Sequence, residues 1–426
     1  MNRLPLIIYR YGSPYELRNR QNELPSLYSN HFINLIMRFI FNALLILCLL
    51  PASTCVIAQE ISITNGPYIQ AVGENEATIV WTTNFDAVSW VELAPAGTNS
   101  FYAEEHPSYY QTLHGKRIVG KLHKIRIPNL DKAKEYRYRV FSKEVLEYEG
   151  HRILYGDIAS SNVYSQKAYR FKTLDNQKEK ISFSVVNDIH GHTDSLQALL
   201  SKVKYGETDL VFFNGDMVSS MNNEKQFFDG FMSASVKMFA SEVPAFFARG
   251  NHETRGPFSV SFPDYFPTNT GKLYYAFRQG PVYFVVLDCG EDKPDSDIEY
   301  SGLAQFDAYR TEQKEWLEQV VKTNEFKSAP FRVVVLHIPP VGSDWHGPLD
   351  INRKILPVLN QAGISIMLCG HTHRYQYIEP NDAELKFPIL INSVNNVLEI
   401  NADQQKMIIE RKNTSGKELN NFQYTR

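Results

Sequence analysis

This 426-residue sequence has few cysteines, a small net charge and few long apolar runs. Of its 4 cysteines only Cys289 and Cys369 lie in the body of the chain, which excludes a disulfide scaffold. We expect two buried free thiols, with a single bridge between them as the alternative. The formal net charge of -3 gives no support to a specific nucleic-acid partner.

The longest apolar run, Phe39–Leu50, is too short to cross a bilayer, which needs about 20 apolar residues, so no transmembrane anchor is expected. It follows a short basic start at Met37-Arg38 and leads to a small-residue exit near Ala58, which predicts a signal peptide over residues 37–58. We therefore expect an exported protein, periplasmic or extracellular. Residues 1–36 are then a doubtful N-terminal extension, and a lipid anchor at Cys55 is an open alternative.

Between residues 60 and 174 the sequence predicts an all-β region. Short strand-like segments such as Glu76–Thr82 and Ser89–Leu93 recur, with Pro, Gly, Asn and Asp between them, and no helical run of useful length appears. A small β-sandwich is the natural interpretation. The content of 26 Phe and 24 Tyr also favours a sheet-rich fold.

The pattern changes after a polar linker at residues 175–180. Over residues 181–411, apolar runs without alternation, such as Ile181–Val186, are separated by helix-like stretches, such as Glu224–Glu242. Such runs indicate a sheet covered on both faces, so we expect an α/β domain. Residues 412–426 are polar, and we expect them to form a poorly ordered tail.

Several of these apolar runs end directly in side chains that can bind a metal ion. The candidates, taken in chain order, are Asp188, His190, Asp216, Asn251, His337, His371 and His373. Catalytic groups of α/β sheets gather at the carboxyl ends of strands, so we expect these residues to converge. Their mixture of carboxylate, imidazole and amide donors suits Mn, Fe or Zn better than Ca or a structural Zn site.

The local spacing also favours one shared site. Asp188 and His190 are two residues apart, as are His371 and His373, and such pairs point to one side of an extended backbone. Glycines at positions 215, 250 and 370 directly precede candidates, where the missing Cβ permits a tight turn and a close approach.

Five motifs in this order resemble the calcineurin-like metallophosphoesterase superfamily: Asp188-x-His190, Gly215-Asp216, Gly250-Asn251-His252-Glu253, His337 and Gly370-His371-x-His373. The resemblance extends over residues 181–400 and implies a four-layer α/β/β/α domain. In front of it, Asn65-Gly66-Pro67-Tyr68 and Ile79-Val80-Trp81 resemble the fibronectin type III-like N-terminal domain of purple acid phosphatases.

The resemblance implies a centre of two transition-metal ions, chosen among Mn, Fe and Zn. One ion would be held by Asp188, His190, Asp216 and His373, and the other by Asp216, Asn251, His337 and His371. Two cations about 4 Å apart can bind a phosphoryl oxygen, lower the pKa of a shared water and stabilise an in-line transition state.

His252 matches the catalytic histidine of the family that is not a metal ligand. It would stabilise the phosphoryl oxygens or protonate the leaving alkoxide. Glu253 or another nearby carboxylate could orient its ring.

The sequence departs from the purple acid phosphatase pattern at two positions. That pattern has a Gly where His190 stands, and a Tyr three residues after the bridging Asp, where this chain has Ser219. The tyrosinate whose charge transfer gives the purple colour is therefore absent. We expect a colourless protein.

Two further features leave alternatives open. Arg249 and Arg255 flank the Asn-His pair, and either could grip a phosphate oxygen or be an ordinary salt-bridged arginine. Residues 344–347, Asp-Trp-His-Gly, could form a substrate-facing loop or a turn with an aromatic plug.

Together these features predict an exported hydrolase that acts on a phosphomonoester or phosphodiester with metal-activated water. One alternative is a surface binding module, in which the phosphoesterase domain is degenerate and the sandwich holds a glycan or a protein. Another is a metal-dependent hydrolase of a different ester. The sequence leaves the oligomeric state open.

Overall fold

The computed structural model describes residues 35–41, 59–161, 166–381 and 383–425. The chain divides into two compact units, Met1–Gln59 and Glu60–Arg426. Of the first unit the structure describes Gln59 and the short helix α1, residues 35–41, so most of the predicted signal peptide and its cleavage site lie outside the described residues. Within the described ranges, no helix combines the length and the apolar character needed to span a membrane.

The second unit begins with an all-β region, as the sequence predicts. Its strands are β1 (Ile63–Gln70), β2 (Ala77–Pro95), β3 (Ser108–Tyr110), β4 (Thr112–Leu113), β5 (Lys116–Arg117), β6 (Val119–Ile127), β7 (Glu135–Glu149), β8 (Arg152–Ser160) and β9 (Tyr169–Lys172). Side chains from both ends of the region, among them Trp81, Ile125 and Tyr138, are buried in one common core.

Strand β2 joins the two halves of this region. Its first half pairs with β1 and β6, and its second half pairs with β7, with a register shift between Thr82 and Ala87. The sequence predicts two strands here, but the structure has one strand of 19 residues. Residues 83–88 contain no Gly or Pro that would end a strand, and the register shift absorbs the change of direction.

Two six-stranded sheets follow in the second unit. Their strands are β10 (Ile181–Val186), β11 (Leu210–Asn214), β12 (Ala245–Ala248), β13 (Tyr275–Gln279), β14 (Val282–Val286), β15 (Phe331–Val335), β16 (Ile366–Cys369), β17 (Gln376–Ile378), β18 (Ile389–Ile391), β19 (Asn396–Ala402), β20 (Lys406–Asn413) and β21 (Glu418–Thr425). The first sheet has the order β12-β11-β10-β19-β20-β21, and the second has the order β13-β14-β15-β16-β18-β17.

Helices cover the outer faces of the two sheets. They are α2 (Thr193–Leu200), α3 (Glu224–Phe227, Phe228–Met232, Ser233–Ser235 and Val236–Ala240 in one run), α4 (Phe262–Tyr265), α5 (Phe306–Val320), α6 (Asn324–Ser328), α7 (His346–Lys354) and α8 (Leu356–Asn360). Helices α2, α3 and α4 share an apolar core with the first sheet, and α5 to α8 share one with the second. A third core, including Phe183, Phe212 and Phe284, lies between the sheets. The four-layer α/β/β/α fold is thus confirmed.

The expectation of a poorly ordered tail after residue 412 is wrong. Strand β21 pairs along β20 and completes the first sheet. Every second side chain of β21 is partly buried, and Phe422 stacks on Tyr377 with ring centroids 4.9 Å apart. Apart from Leu419 the outward residues are polar, so the composition concealed a half-exposed edge strand.

The all-β region and the α/β region share buried contacts. The Tyr68 hydroxyl donates to the Tyr265 carbonyl over 2.9 Å, and the Tyr138 hydroxyl donates to the Ser241 carbonyl over 2.6 Å. The Ser241 hydroxyl in turn donates to the Pro67 carbonyl over 2.7 Å. These buried polar contacts tie the two regions into one compact unit, while their boundaries at residues 174 and 181 stay a prediction.

Two further predictions about the core are confirmed. Cys289 and Cys369 are both free and buried. Burial raises the pKa of each thiol well above its ordinary value, which keeps both thiols protonated and unreactive at neutral pH.

Candidate metal centre

Strands from both sheets deliver the candidate ligands to one place. Strands β10, β11 and β12 run parallel, and their carboxyl ends lead into Asp188, Asp216 and Asn251. Strands β15 and β16 of the second sheet are also parallel and lead into His337 and His371. Because parallel neighbours end at the same edge of a sheet, each set is gathered there. Contacts between the sets, described below, show that the two edges meet.

The loops that carry these residues adopt unusual backbone conformations. Ten non-glycine residues in the described ranges have a positive φ. Five of them, with φ between 51° and 69°, are candidate ligands: Asp188, His190, Asp216, His371 and His373. The paired candidates therefore face one site through left-handed turns and not, as the sequence argument assumed, through extended backbone. Such conformations cost free energy and concentrate at functional sites.

Two of the preceding glycines are required by close approach. A Cβ on Gly250 would overlap the Asp216 carboxylate, and one on Gly215 would overlap the His337 ring. Gly215 also has a φ of 77°, which a side chain would strain. The expectation that these glycines permit tight packing around the ligands is confirmed.

Asp188, His190 and His373 form one group whose donor atoms all lie within 4.8 Å of one another. Nε2 of His190 and Nε2 of His373 are 3.0 Å apart, and Nε2 of His373 lies 3.4 Å from a carboxylate oxygen of Asp188. The backbone N–H of His371 donates to Asp188, which fixes the carboxylate. Burial lowers the pKa of His190, whereas the bond to Asp188 raises the pKa of His373.

Asp216, His337 and His371 form a second group within the same 4.8 Å limit. Nε2 of His337 lies 2.9 Å from Oδ2 of Asp216. Asn251 joins this group, because its side-chain oxygen lies 3.1 Å from Nδ1 of His371. Burial, together with the neighbouring His337, lowers the pKa of His371 to about 4, so this ring is a neutral donor.

The contact between His337 and Asp216 is unusual. Nδ1 of the fully buried His337 ring lies 2.6 Å from the Asn214 carbonyl, a distance at which Nδ1–H donates. Nε2 has no hydrogen-bond partner among the described residues, although the Asp216 oxygen is so close. Two acceptor groups this close in a buried site need positive charge between or beside them, either a proton on Nε2 or a bound metal ion. The residues present therefore fit a bound metal ion.

The shifted pKa values of His337 and Asp216 also show that the site attracts positive charge. Burial alone would lower the pKa of His337, but the carboxylates of Asp216 and Asp188 outweigh it and raise the pKa to about 10. Burial would raise the pKa of Asp216, but His337 outweighs it and lowers the pKa. The carboxylates thus attract positive charge into the site, which a metal ion would supply.

His252 lies beside both groups. Its backbone N–H donates to Oδ1 of Asp216, and Nδ1 of its ring lies 2.9 Å from the Ser219 carbonyl. Nε2 is 3.9 Å from the other Asp216 oxygen. Because Nδ1–H donates to the carbonyl, Nε2 remains available for proton transfer. The ring is half-buried, so a substrate can reach it.

Glu253 does not orient the His252 ring, although the sequence left that open. Its carboxylate is fully buried and accepts the backbone N–H groups of residues 216, 217, 218 and 250. Burial, followed by the charge of Asp216, raises the pKa of Glu253 to about 7. Glu253 therefore holds the loop that carries Asp216.

The two flanking arginines differ in their partners. Arg249 is buried and forms an ion pair with Asp288 over 2.9 Å, so it takes the ordinary structural role. Arg255 also forms an ion pair, with Glu291, but its Nη1 lies 3.2 Å from Nε2 of His252. Sequence reasoning missed Glu291, which lies in the loop after β14 and belongs to no motif.

Sequence reasoning also missed two buried asparagines. Asn187 donates to Oδ2 of Asp188 over 2.5 Å, and Asn392 donates to the Asn187 side chain over 2.7 Å. The position of Asn187 next to a ligand was the one available signal. For residues 344–347, the Trp345 side chain is 53% exposed and is no buried plug, while Nε2 of His346 lies 2.8 Å from Asp307.

Several known proteins resemble this chain in sequence. Residues 181–375 match the calcineurin-like phosphoesterase family. The chain is 25% identical over 357 residues to the Arabidopsis thaliana protein named "Probable inactive purple acid phosphatase 24", with 72% of this chain and 54% of that protein covered. It is also 25% identical over 331 residues to Arabidopsis thaliana "Purple acid phosphatase 21", with 74% and 66% covered.

The chain thus spans between half and two thirds of the length of these curated relatives. A solved structure titled "GAP50 the anchor in the inner membrane complex of Plasmodium" aligns with 58% of this chain and 89% of its own, at 13% identity and a TM-score of 0.45. The family match covers the part of the α/β region from β10 to β16, including the strand ends that carry the candidate ligands. Residues 181–375 therefore form a calcineurin-like phosphoesterase domain.

Proposed function

We propose that the chain is a two-metal phosphoesterase that hydrolyses a phosphomonoester or a phosphodiester. The observation that carries this proposal is the approach of two metal-competent groups, Nε2 of His337 and the Asp216 carboxylate, to 2.9 Å in a buried site. A second group of donors, Asp188, His190 and His373, lies beside it, with 3.8 Å between Nε2 of His337 and Oδ1 of Asp188. The donor types suit Mn, Fe or Zn.

The two groups of donors support the following ligand sets. Asp188, His190 and His373 would hold the first ion, and Asn251, His337 and His371 the second, with Asp216 bridging both. When bound, two such cations would bind a phosphoryl oxygen, lower the pKa of a water and stabilise the charge that develops in the transition state.

His252 would act as the proton donor to the leaving oxygen or stabilise the phosphoryl oxygens. The Ser219 carbonyl fixes the ring through Nδ1 and directs Nε2 toward the Asp216 side of the cleft. A positioned acid of this kind contributes about a hundredfold to ten-thousandfold to a rate.

The competing candidate is a degenerate binding module, and the printed name of one relative, "Probable inactive purple acid phosphatase 24", motivates it. The present chain argues against degeneracy, because all seven predicted ligands and His252 are brought together. A phosphate-release assay on chromogenic mono- and diesters, with Mn, Fe or Zn supplied, separates the two. No turnover of either ester would favour the binding module.

His252→Ala provides the sharper test of the mechanism. We expect metal content to be retained and the rate to fall by about a hundredfold or more. His151→Ala, at an exposed histidine of the all-β region, is the matched control and should leave the rate unchanged. Equal rates for His252→Ala and the wild type would contradict the assigned role.

We further propose that the protein is exported, on the basis of the signal-like pattern at residues 37–58. N-terminal sequencing of the mature protein tests this proposal. A mature form that retains residues 1–36 would contradict it.

A further inference from the structure

The guanidinium of Arg255 lies beside the His252 ring at the candidate metal centre. Its Nε and Nη2 lie 2.8 Å and 3.1 Å from the two carboxylate oxygens of Glu291. The remaining nitrogen, Nη1, lies 3.2 Å from Nε2 and 3.4 Å from Nδ1 of His252. Glu291 thus occupies the edge of the guanidinium formed by Nε and Nη2, while Nη1 faces the His252 ring.

Glu291 is a built anchor and not a chance surface partner. It is 1% exposed, and besides Arg255 it accepts the hydroxyl groups of Thr254 over 2.7 Å and Tyr300 over 3.0 Å. A buried carboxylate with this many donors is rigid, and a planar two-point pair fixes the direction of the guanidinium. Asp292 lies near the same arginine, with 3.8 Å between Oδ1 and Nη2.

Nη1 has donor capacity that the protein does not use. Within the described part of the chain its contacts are the two ring nitrogens of His252, and no carboxylate lies at hydrogen-bond distance from it. The Arg255 side chain is 32% exposed, so a ligand in the cleft can reach it. Arg249 cannot serve in this way, because its side chain is 11% exposed and paired with Asp288.

We propose that Arg255 binds a phosphoryl oxygen of the substrate and makes the centre selective for phosphomonoesters. This inference rests on the proposed phosphoesterase function. A phosphomonoester has three non-bridging oxygens and up to two negative charges, whereas a diester has two such oxygens and one charge. An additional N–H donor beside His252 therefore adds more to the binding of a monoester.

The test compares Arg255→Gln with Arg126→Gln, a matched control that removes the same charge from an exposed Arg–Glu pair of the all-β region. For Arg255→Gln we expect kcat/KM for a chromogenic phosphomonoester to fall by at least about tenfold, as for a lost hydrogen bond to a charged group. For the corresponding diester we expect a loss of less than about threefold. Arg126→Gln should change neither value.

Binding of inorganic phosphate to the metal-loaded protein, measured by calorimetry, gives a readout that does not depend on turnover. We expect Arg255→Gln to weaken it about tenfold, with unchanged metal content. Glu291→Gln, which keeps Arg255 but loosens its anchor, should give a smaller loss of the same kind.

Equal losses for monoester and diester, or phosphate binding unchanged in Arg255→Gln, would overturn the proposal. So would a loss that merely follows a loss of metal, since it would assign Arg255 a structural role. A wild-type protein that hydrolyses neither ester would instead contradict the proposed function. The phosphate-binding comparison would still test Arg255 in that case.

Discussion

The two halves of the candidate metal centre differ in how deeply their side chains are buried. In the half around His337, the histidine is fully buried and Asn251 is 1% exposed. In the half around His190, the ring is half-buried and the side chain of His373 is 50% exposed. We call the first the buried half and the second, because of its two accessible histidines, the open half; Asp188 of the open half is itself buried.

The two halves differ in burial because their candidate ligands lie at different distances from the ends of the strands. His337 and Asn251 follow buried strands of different sheets, and each packs against the ligand loops of the other sheet. His190 and His373 stand on turns further from the strand ends, and they contact each other and Asp188. We therefore expect the buried half to be preorganised and to contribute to stability, and the open half to exchange its metal and meet the substrate.

Asp216→Asn has the largest expected effect, because it should abolish metal binding in both halves of the site. Asp216 contacts the buried half through His337 and is also within ligand distance of His190 and His252. Loss of the bridging charge should remove both metal ions and reduce turnover by at least about a thousandfold. Metal analysis and the ester assay measure both effects, with Asp157→Asn on exposed β8 as the control. Retention of one tightly bound ion would contradict the bridging role.

His337→Ala and His373→Ala, measured in the metal-free protein, test whether the two halves contribute differently to stability. Removing buried His337 leaves the Asp216 and Asp188 carboxylates without their partner, so we expect a loss of roughly 3 kcal/mol in the free energy of unfolding. His373 is exposed, and its removal should cost less than about 0.5 kcal/mol. Urea denaturation measures both values. Similar losses for the two variants would show that burial does not distinguish the halves.

The smallest expected effect concerns the open half and its optical spectrum. Ser219 stands where a purple acid phosphatase has its tyrosinate, and its carbonyl contacts His252. The iron-loaded protein should therefore lack a strong visible charge-transfer band, which absorption spectroscopy measures. Ser219→Tyr is the matched variant, since it restores the phenol at this position. A strong visible band in the wild-type protein would contradict the expectation.

The apolar runs were sufficient to predict most of the second region's strands. Ile181–Val186 has the bounds that its apolar run indicated, because strands buried on both faces carry an uninterrupted apolar signal. Strand β21 escaped prediction because only one of its faces packs, and most of its other residues are polar. Long-range partners such as Glu291 and Asn392 escaped because nothing in their own neighbourhood marks them.

The sequence by itself determined the fold class and which side chains are candidates for the chemistry, since strand-end Asp, Asn and His residues are visible as local patterns. The tertiary structure decided how they are used. It placed Glu253 under the Asp216 loop and not beside the His252 ring, and it paired Arg249 with Asp288. It also turned Arg255 toward His252. These outcomes depend on which loops of two separate sheets meet, and that is a property of packing between segments far apart in the chain.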